Sequence, residues 1–254
     1  GCAQTGTGKT AAFLLPIVNK IITEPHDENK INALIIVPTR ELAIQIADNM
    51  EGLGYFTNVS CIAVYGGGDG NSFTAEKTAL TSGCDIVVCT PGRMIAHLNM
   101  GYVNLKEVKY LVLDEADRML DMGFLPQVRR VVEKCPKQRQ TLFFSATLPP
   151  EIESLTKWVL KDPEIISIGE RRSPAETVTH ALYPVAKDQK FDLLLALLEK
   201  TQYHSVIVFT ATKVMADKVA ARLLDLKHPV ACMHADRSQS ERSEALEGFK
   251  TGKY

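Results

Sequence analysis

Residues 110–117 read YLVLDEAD, and this stretch decides the fold. Its first four residues are apolar without polar alternation, which is typical of a strand buried on both faces of a parallel sheet. Asp114 and Glu115 follow the apolar run directly. Since open α/β sheets gather their ligand sites at the carboxyl ends of strands, the stretch predicts a buried strand that delivers carboxylates to a site.

Further apolar runs along the chain share this length and lack of alternation. Segments with helical spacing lie between them, such as Leu42, Ile46 and Met50 at intervals of four. Strands that alternate with helices indicate the α/β class, with a parallel sheet flanked by helices. The predicted strands besides 110–113 are 33–37, 60–65, 85–89, 141–144, 164–168, 205–209 and 229–233.

The stretch 169–177 interrupts this pattern, because it is polar, contains Gly169 and Pro174, and shows no periodicity. Such a composition is typical of a linker. We therefore expect a first domain at residues 1–168, a linker at 169–177, and the start of a second domain at 178–254.

Composition limits the possible partners. Lys and Arg number 29 against 30 Asp and Glu, so any nucleic-acid contact has to come from a local basic patch. No apolar run approaches the roughly 20 residues that span a bilayer, so no membrane contact is expected. The six cysteines form no CxxC pair, which favours reduced thiols and a cytoplasmic location. His234 lacks an evident partner and is expected to be neither catalytic nor a metal ligand.

The opening stretch GCAQTGTGKT (1–10) has the pattern of a phosphate-binding loop. Glycines let backbone N–H groups turn toward phosphate oxygens, Lys9 reaches the outer phosphates, and the Thr10 hydroxyl can bind Mg²⁺. The helix that follows offers its positive N-terminus to the anion. The predicted nucleotide-binding residues are Ala3, Gln4, Thr5, Gly6, Thr7, Gly8, Lys9 and Thr10.

An acidic cluster after a strand is by itself often a solvated turn. A nucleotide–Mg²⁺ site, however, needs a carboxylate that the phosphate loop does not supply. We therefore predict that Asp114, with Thr10, holds Mg²⁺ directly or through water, and that Glu115 polarises the water that attacks the γ-phosphate of the nucleotide.

Other predicted strands also end directly on polar or glycine-rich clusters. PTRE follows Val37, GGG follows Tyr65, TPGR follows Cys89 and SAT follows Phe144. Because parallel strands present their carboxyl ends on the same side, these clusters are expected along one edge of the molecule.

Five of these motifs occur in a specific order: AQTGTGKT, PTRELA, TPGR, DEAD and SAT. Their order and spacing resemble the DEAD-box RNA helicase family over residues 3–168. Residues 206–213 (VIVFTATK) and 234–252 (HADRSQSERSEALEGFKTG) resemble motifs of that family's second domain, although Ala235 stands where the family usually has Gly. The resemblance implies a RecA-like parallel sheet flanked by helices, followed by an incomplete second RecA-like domain.

The resemblance also implies roles for single residues. Lys9, Asp114 and Glu115 match ATP and Mg²⁺ residues, as the chemistry of the side chains already suggests. Asp117, Ser145 and Thr147 match elements that couple hydrolysis to domain closure. The implied RNA-backbone contacts are Pro38, Thr39, Arg40, Gly66, Gly67, Thr90, Pro91, Gly92 and Arg93.

Two of these assignments have simpler alternatives. The Thr39 hydroxyl could serve only as a helix N-cap, and Thr90-Pro91 could form only a turn.

The implied function is an ATP-dependent RNA helicase with a monomeric core that opens short duplexes locally. Its grip on RNA would be through the backbone, without sequence specificity. Two alternatives stay open: a helicase-like motor acting on DNA, and an RNA clamp that binds ATP without turnover. Because the family's segment before the phosphate loop and its later arginine motifs are missing, we expect a fragment that binds ATP weakly and hydrolyses it poorly.

Overall fold

The computed structural model describes residues 1, 8–26, 30–67, 70–167 and 178–254. The chain divides into two compact units, Gly1–Pro174 and Ala175–Tyr254. The predicted linker at 169–177 lies outside the described residues, so the predicted domain boundaries stay predictions. Within the described ranges, no helix combines the length and apolar character needed to cross a membrane.

The first unit contains the parallel sheet that the sequence predicts, with five strands. Its order is β2-β3-β1-β4-β5. Ile36 at the end of β1 lies opposite Cys89 on one side and Leu113 on the other, so the carboxyl ends of the central strands are level. The strands are β1 Ala33–Ile36, β2 Cys61–Val64, β3 Ile86–Cys89, β4 Tyr110–Leu113 and β5 Gln140–Phe143.

Helices cover both faces of this sheet. Alternate strand residues point to opposite faces, so Leu34 joins one buried cluster and Ile35 the other. The Ile35 cluster includes residues of α1 and α2, and the Leu34 cluster those of α3 to α7. The helices are α1 Lys9–Thr23, α2 Arg40–Gly54, α3 Gly70–Ser82, α4 Pro91–Asn99, α5 Ala116–Asp121, α6 Leu125–Val132 and α7 Pro150–Val159.

The regular structure of the second unit consists of helices over the described residues 178–254. A 3₁₀ turn at Lys187–Gln189 leads into α8 (Lys190–Lys200), followed by α9 (Lys213–Asp225) and α10 (Gln239–Lys250). Ser238 starts α10 with a capping box, in which its side chain and that of Glu241 bond to each other's backbone N–H groups.

The strands predicted at 205–209 and 229–233 are wrong, because no strand forms within residues 178–254. A strand satisfies its backbone groups only by pairing with a neighbour. The side chains of Ile207 and Phe209 are instead 64% and 92% exposed. The strand predicted at 164–168 is also wrong over its described part, where Ser167 is an isolated bridge residue and Ile165 is exposed.

Candidate functional site

The carboxyl edge of the sheet carries two groups of predicted site residues. The group after β4 and β5 comprises Asp114, Glu115, Asp117, Ser145 and Thr147, together with Gly8, Lys9 and Thr10 of the α1 start; we call it the acidic end. The group after β1, β2 and β3 comprises Pro38, Thr39, Arg40, Gly66, Gly67, Thr90, Pro91, Gly92 and Arg93; we call it the basic end.

The phosphate loop is anchored on both of its sides. Five of the predicted nucleotide-binding residues lie outside the described residues: Ala3, Gln4, Thr5, Gly6 and Thr7. Before them, the Gly1 amino group donates to the Phe143 carbonyl (2.5 Å) and the Gly1 carbonyl accepts from Ser145 N–H (3.2 Å), which places the chain beside the end of β5.

After the loop, Gly8 caps α1 in the left-handed region at φ 81°, a conformation that favours glycine. Lys9 and Thr10 are the first two residues of α1. The loop therefore ends at the N-terminus of a 15-residue helix, which favours an anion.

Asp114 is the most buried carboxylate of the acidic end, with 3% of its surface exposed. Burial raises the pKa of this carboxyl, and the nearby positive charge of Lys9 opposes that rise. The Glu115 backbone N–H donates to Asp114 Oδ1 (2.9 Å). A buried carboxylate close to a lysine and a helix N-terminus suits a site for a divalent cation that bridges to phosphate.

Glu115 has an unusual backbone conformation for a non-glycine residue, with φ 51° and ψ 50°. Such outliers cost of order 1–3 kcal/mol and concentrate at functional sites. Arg118, one turn further along α5, pairs with the Glu115 carboxylate at 3.1 Å. Both side chains reach solvent, so this pair holds Glu115 only weakly.

Asp117 joins the end of β4 to the segment after β5. Its Oδ2 atom accepts two hydrogen bonds from Thr147, one from the backbone N–H (2.8 Å) and one from the hydroxyl (3.0 Å). The buried Ser145 hydroxyl accepts from Asp117 N–H (3.2 Å) and donates to the Thr147 carbonyl (2.7 Å). The three residues that the sequence grouped for coupling thus form one hydrogen-bonded cluster.

At the basic end, Arg40 and the Gly66-Gly67 turn lie against each other. Gly67 has φ 89°, and a Cβ atom placed on it would collide with the Arg40 guanidinium. A Cβ on Gly66 would lie 4.0 Å from the same group. The positive φ therefore favours glycine at 67, and a side chain there would also push the end of the Arg40 side chain aside.

The threonines of the basic end start two helices. The Thr39 hydroxyl accepts from Leu42 N–H (3.3 Å) and caps α2. In this structure the hydroxyl therefore acts as a helix N-cap, the simpler of the two roles considered for it. Thr90 is the N-cap residue of α4, but its side chain makes no capping bond to that helix. Pro91 is buried at the first helical position, and Gly92 is exposed.

Sequence reasoning missed Glu76 and His97, which hold Arg93. Glu76 Oε2 accepts from Arg93 Nε (2.6 Å) and from His97 Nε2 (2.8 Å). Both missed residues are buried, and His97 also bonds to the Tyr102 hydroxyl. Neither residue belongs to a motif, so only the packing of α3 against α4 reveals them.

The second unit corrects the expectation that His234 lacks a partner. Asp217 Oδ1 accepts from His234 Nε2 (3.1 Å) and from Arg237 Nη2 (2.6 Å), and these bonds hold the pKa of Asp217 below its usual range. Cys232 Sγ lies 3.6 Å from the same oxygen. Arg237 already neutralises this carboxylate, so the cluster is a salt bridge and not a free set of metal ligands.

Comparison with known proteins finds similarity to helicases along the chain. Residues 1–155 match the family model described as DEAD/DEAH box helicase, and residues 189–254 match the helicase conserved C-terminal domain. The chain also resembles the crystal structure of a DEAD box protein from the hyperthermophile Methanococcus jannaschii, with 38% sequence identity and a TM-score of 0.59. The match covers 99% of this chain and 66% of that one.

Proposed function

Since this chain belongs to the DEAD/DEAH box helicase family, we propose that it acts as an ATP-dependent RNA helicase that opens short RNA duplexes locally. The observation that best supports this function is the division of one sheet edge into two ends. Carboxylates lie beside the start of α1 at the acidic end, while Arg40 lies on the Gly66-Gly67 turn at the basic end.

The acidic end is proposed to bind ATP with Mg²⁺. Residues 3–8 and Lys9 would hold the phosphates, and Thr10 and Asp114 would hold the metal. Bound Mg²⁺ would neutralise charge on the phosphoryl group. The buried position of Asp114 near Lys9 fits this assignment, because a cation would satisfy a carboxylate whose charged form is disfavoured by burial.

Glu115 is proposed to orient and polarise the attacking water. Its carboxylate can leave the exposed pair with Arg118 at little cost, so it is free to accept a hydrogen bond from water. The Asp117–Ser145–Thr147 cluster would transmit the state of the nucleotide, because it links the Glu115 segment to the segment after β5.

The basic end is proposed to bind the RNA backbone without reading sequence. This surface would have two parts. One consists of Pro38, Thr39, Arg40, Gly66 and Gly67, and the other of residues 90–93. The N-termini of α2 and α4, together with arginines, suit contacts to phosphate.

The test is ATP turnover by the purified protein with single-stranded RNA, with single-stranded DNA of the same sequence, and without nucleic acid. Stimulation by RNA above that by DNA, with strand separation of a short RNA duplex, is the expected result. Equal stimulation by DNA would favour the DNA motor. RNA binding that depends on ATP without any turnover would favour the clamp.

Residues 1–254 by themselves are proposed to bind ATP weakly and hydrolyse it slowly. The supporting fact is that they span 66% of the solved DEAD box protein, so a third of that chain has no counterpart here. Turnover by these 254 residues at the rate of a longer protein that contains them would overturn this. The monomeric core and the cytoplasmic location stay predictions; the unpaired thiols of Cys61, Cys84, Cys89, Cys135 and Cys232 suit a reducing compartment.

A further inference from the structure

Glu76 of α3 is a buried carboxylate that serves both parts of the basic end. Its Oε1 atom accepts from the Tyr65 backbone N–H (3.2 Å), directly before Gly66-Gly67. Its Oε2 atom accepts from Arg93 Nε at the start of α4 (2.6 Å) and from His97 Nε2 (2.8 Å). One side chain thus fixes a backbone group after β2 and a side chain after β3.

Aromatic rings also lie beside the Arg93 side chain. The guanidinium lies 4.6 Å from the centre of the Phe73 ring, and Phe73 stacks on His97 with a centroid distance of 4.6 Å and an interplanar angle of 16°. Arg93 Nη2 is buried and has no partner among the described residues. The Nε bond to Glu76 and the stacking on Phe73 therefore set the orientation of the guanidinium.

The hydrogen bonds of His97 agree with this arrangement. A carboxylate only accepts, so His97 donates from Nε2 to Glu76. The Tyr102 hydroxyl lies at Nδ1, and burial followed by the charge of Glu76 raises the pKa of this phenol, so it stays protonated and can donate to the ring. His97 and Arg93 thus both donate to the same oxygen of Glu76.

We propose that Glu76 is a positioning residue for RNA binding, which keeps the Gly66-Gly67 turn and the start of α4 at one fixed spacing. This inference rests on the proposed function of the basic end. Two groups of donors bind phosphates of one strand together only while the distance between the groups matches the distance between those phosphates. A buried, charge-paired carboxylate supplies such rigidity.

The sign of the effect separates positioning from simple electrostatics. A carboxylate near an RNA surface repels phosphate, so its removal would tighten RNA binding if charge alone mattered. If Glu76 instead positions the surface, its removal weakens RNA binding. Glu76→Asp distinguishes the two explanations in a second way, because it keeps the charge but shortens the side chain by one carbon. A change in RNA binding by this variant cannot come from a lost charge.

The experiment measures binding of a labelled single-stranded RNA by fluorescence anisotropy, and binding of a fluorescent ATP analogue, in the full chain and its variants. Glu76→Gln and Glu76→Asp are each expected to weaken RNA binding by about tenfold, and to change nucleotide binding much less. Glu107→Gln, an exposed carboxylate change on the same unit, is the matched control and is expected to bind like the wild type. In a Glu76→Gln/Arg93→Ala double variant, the two losses are expected not to add.

Wild-type or tighter RNA binding by folded Glu76→Gln, or wild-type binding by Glu76→Asp, would overturn the proposal. If Glu76→Gln fails to fold, Glu76→Asp decides alone. Failure of the wild-type chain to bind RNA at all would instead reject the proposed function, and the positioning role with it. A loss of nucleotide binding equal to the loss of RNA binding would reduce Glu76 to a general structural residue.

Discussion

The acidic and basic ends of the sheet edge are each organised by one carboxylate, but the two carboxylates differ in their partners. At the acidic end, half-buried Asp117 accepts from a threonine hydroxyl and a backbone N–H. At the basic end, buried Glu76 accepts from an arginine, a histidine and a backbone N–H.

This difference matters for which end can move. Hydrogen bonds from neutral donors to a carboxylate are worth about 1.5–3 kcal/mol where water is excluded, but at the partly exposed Asp117 water competes for them. Breaking a buried charged pair leaves an uncompensated charge that water does not reach and costs about 3–5 kcal/mol. We infer that the acidic end can rearrange with the nucleotide, while the basic end keeps one geometry.

The largest expected effect is on turnover at the acidic end. In Glu115→Gln the side chain keeps its shape but loses the charge that polarises water, so ATP turnover is expected to fall by about 10²–10⁴-fold. RNA binding, which depends on the basic end, is expected to stay within twofold. Turnover is measured under saturating ATP and RNA.

The matched control for this change is Glu133→Gln, on an exposed carboxylate of the same unit. Equal ATP turnover in Glu115→Gln and the wild type would contradict the catalytic role and favour the non-hydrolysing clamp.

The second effect concerns the basic end. Gly67→Ala forces a left-handed conformation on alanine and drives its methyl group into the Arg40 guanidinium. We expect RNA affinity to fall by about tenfold, because the turn is strained and the Arg40 guanidinium is pushed from its place, while basal ATP turnover changes little. Anisotropy with labelled single-stranded RNA measures the loss.

Gly52→Ala provides the control, because a methyl group there meets nothing within 4 Å and lies in helix α2. It is expected to leave RNA affinity unchanged. Wild-type RNA affinity in Gly67→Ala would mean that the basic end is as adaptable as the acidic end.

A smaller effect is expected from the cluster around Asp117. Thr147→Val removes the hydroxyl bond to Asp117 and keeps the size of the side chain, at a cost of about 0.5–1.5 kcal/mol. Strand separation per ATP hydrolysed is expected to fall several-fold, because the cluster would link nucleotide state to movement. Thr147→Ser keeps the hydroxyl and is expected to retain most of the wild-type coupling. Equal strand separation per ATP hydrolysed in Thr147→Val and Thr147→Ser would show that the Thr147 hydroxyl does not link nucleotide state to movement.

The sheet of the first unit could be predicted from sequence because its strands are buried on both faces. Continuous apolar runs such as 110–113 and 33–37 therefore mark it directly, and the polar clusters that follow them had to meet at one edge. The same rule failed at 205–209 and 229–233. An apolar run has strand propensity, but it becomes a strand only when a partner satisfies its backbone groups, and the run itself does not encode that partner.

The candidate site shows the same limit at the level of single residues. Asp114 and Arg40 stand at the ends of predicted strands, where motif spacing could find them. Glu76 and His97 stand within helices and act through contacts between side chains of α3 and α4. No local pattern distinguishes Glu76 from a solvated glutamate, so these residues required the three-dimensional structure.

The smallest expected effect is on stability. It is measured as the thermal unfolding midpoint of variants at each end, without nucleotide or Mg²⁺. Burial raises the pKa of Asp114 in the folded protein. The folded state therefore binds this proton more tightly than the unfolded state, and the resulting stabilisation is complete below the unfolded pKa and lost as pH rises through the folded pKa. Near neutral pH, Asp114→Asn relieves the burial of a charge and is expected to raise the midpoint, with the gain shrinking as pH falls toward 4.

Asp121→Asn, an exposed change on α5, is the control and is expected to leave the midpoint unchanged. Glu76→Gln is expected to have the opposite sign from Asp114→Asn, because Glu76 is paired with Arg93 and loses a charged hydrogen bond. A lower midpoint for Asp114→Asn at neutral pH would show that Lys9 compensates the buried Asp114 charge fully. The charges of the acidic end would then be compensated without a bound cation, as those of the basic end are. The proposed difference between the two ends would be wrong.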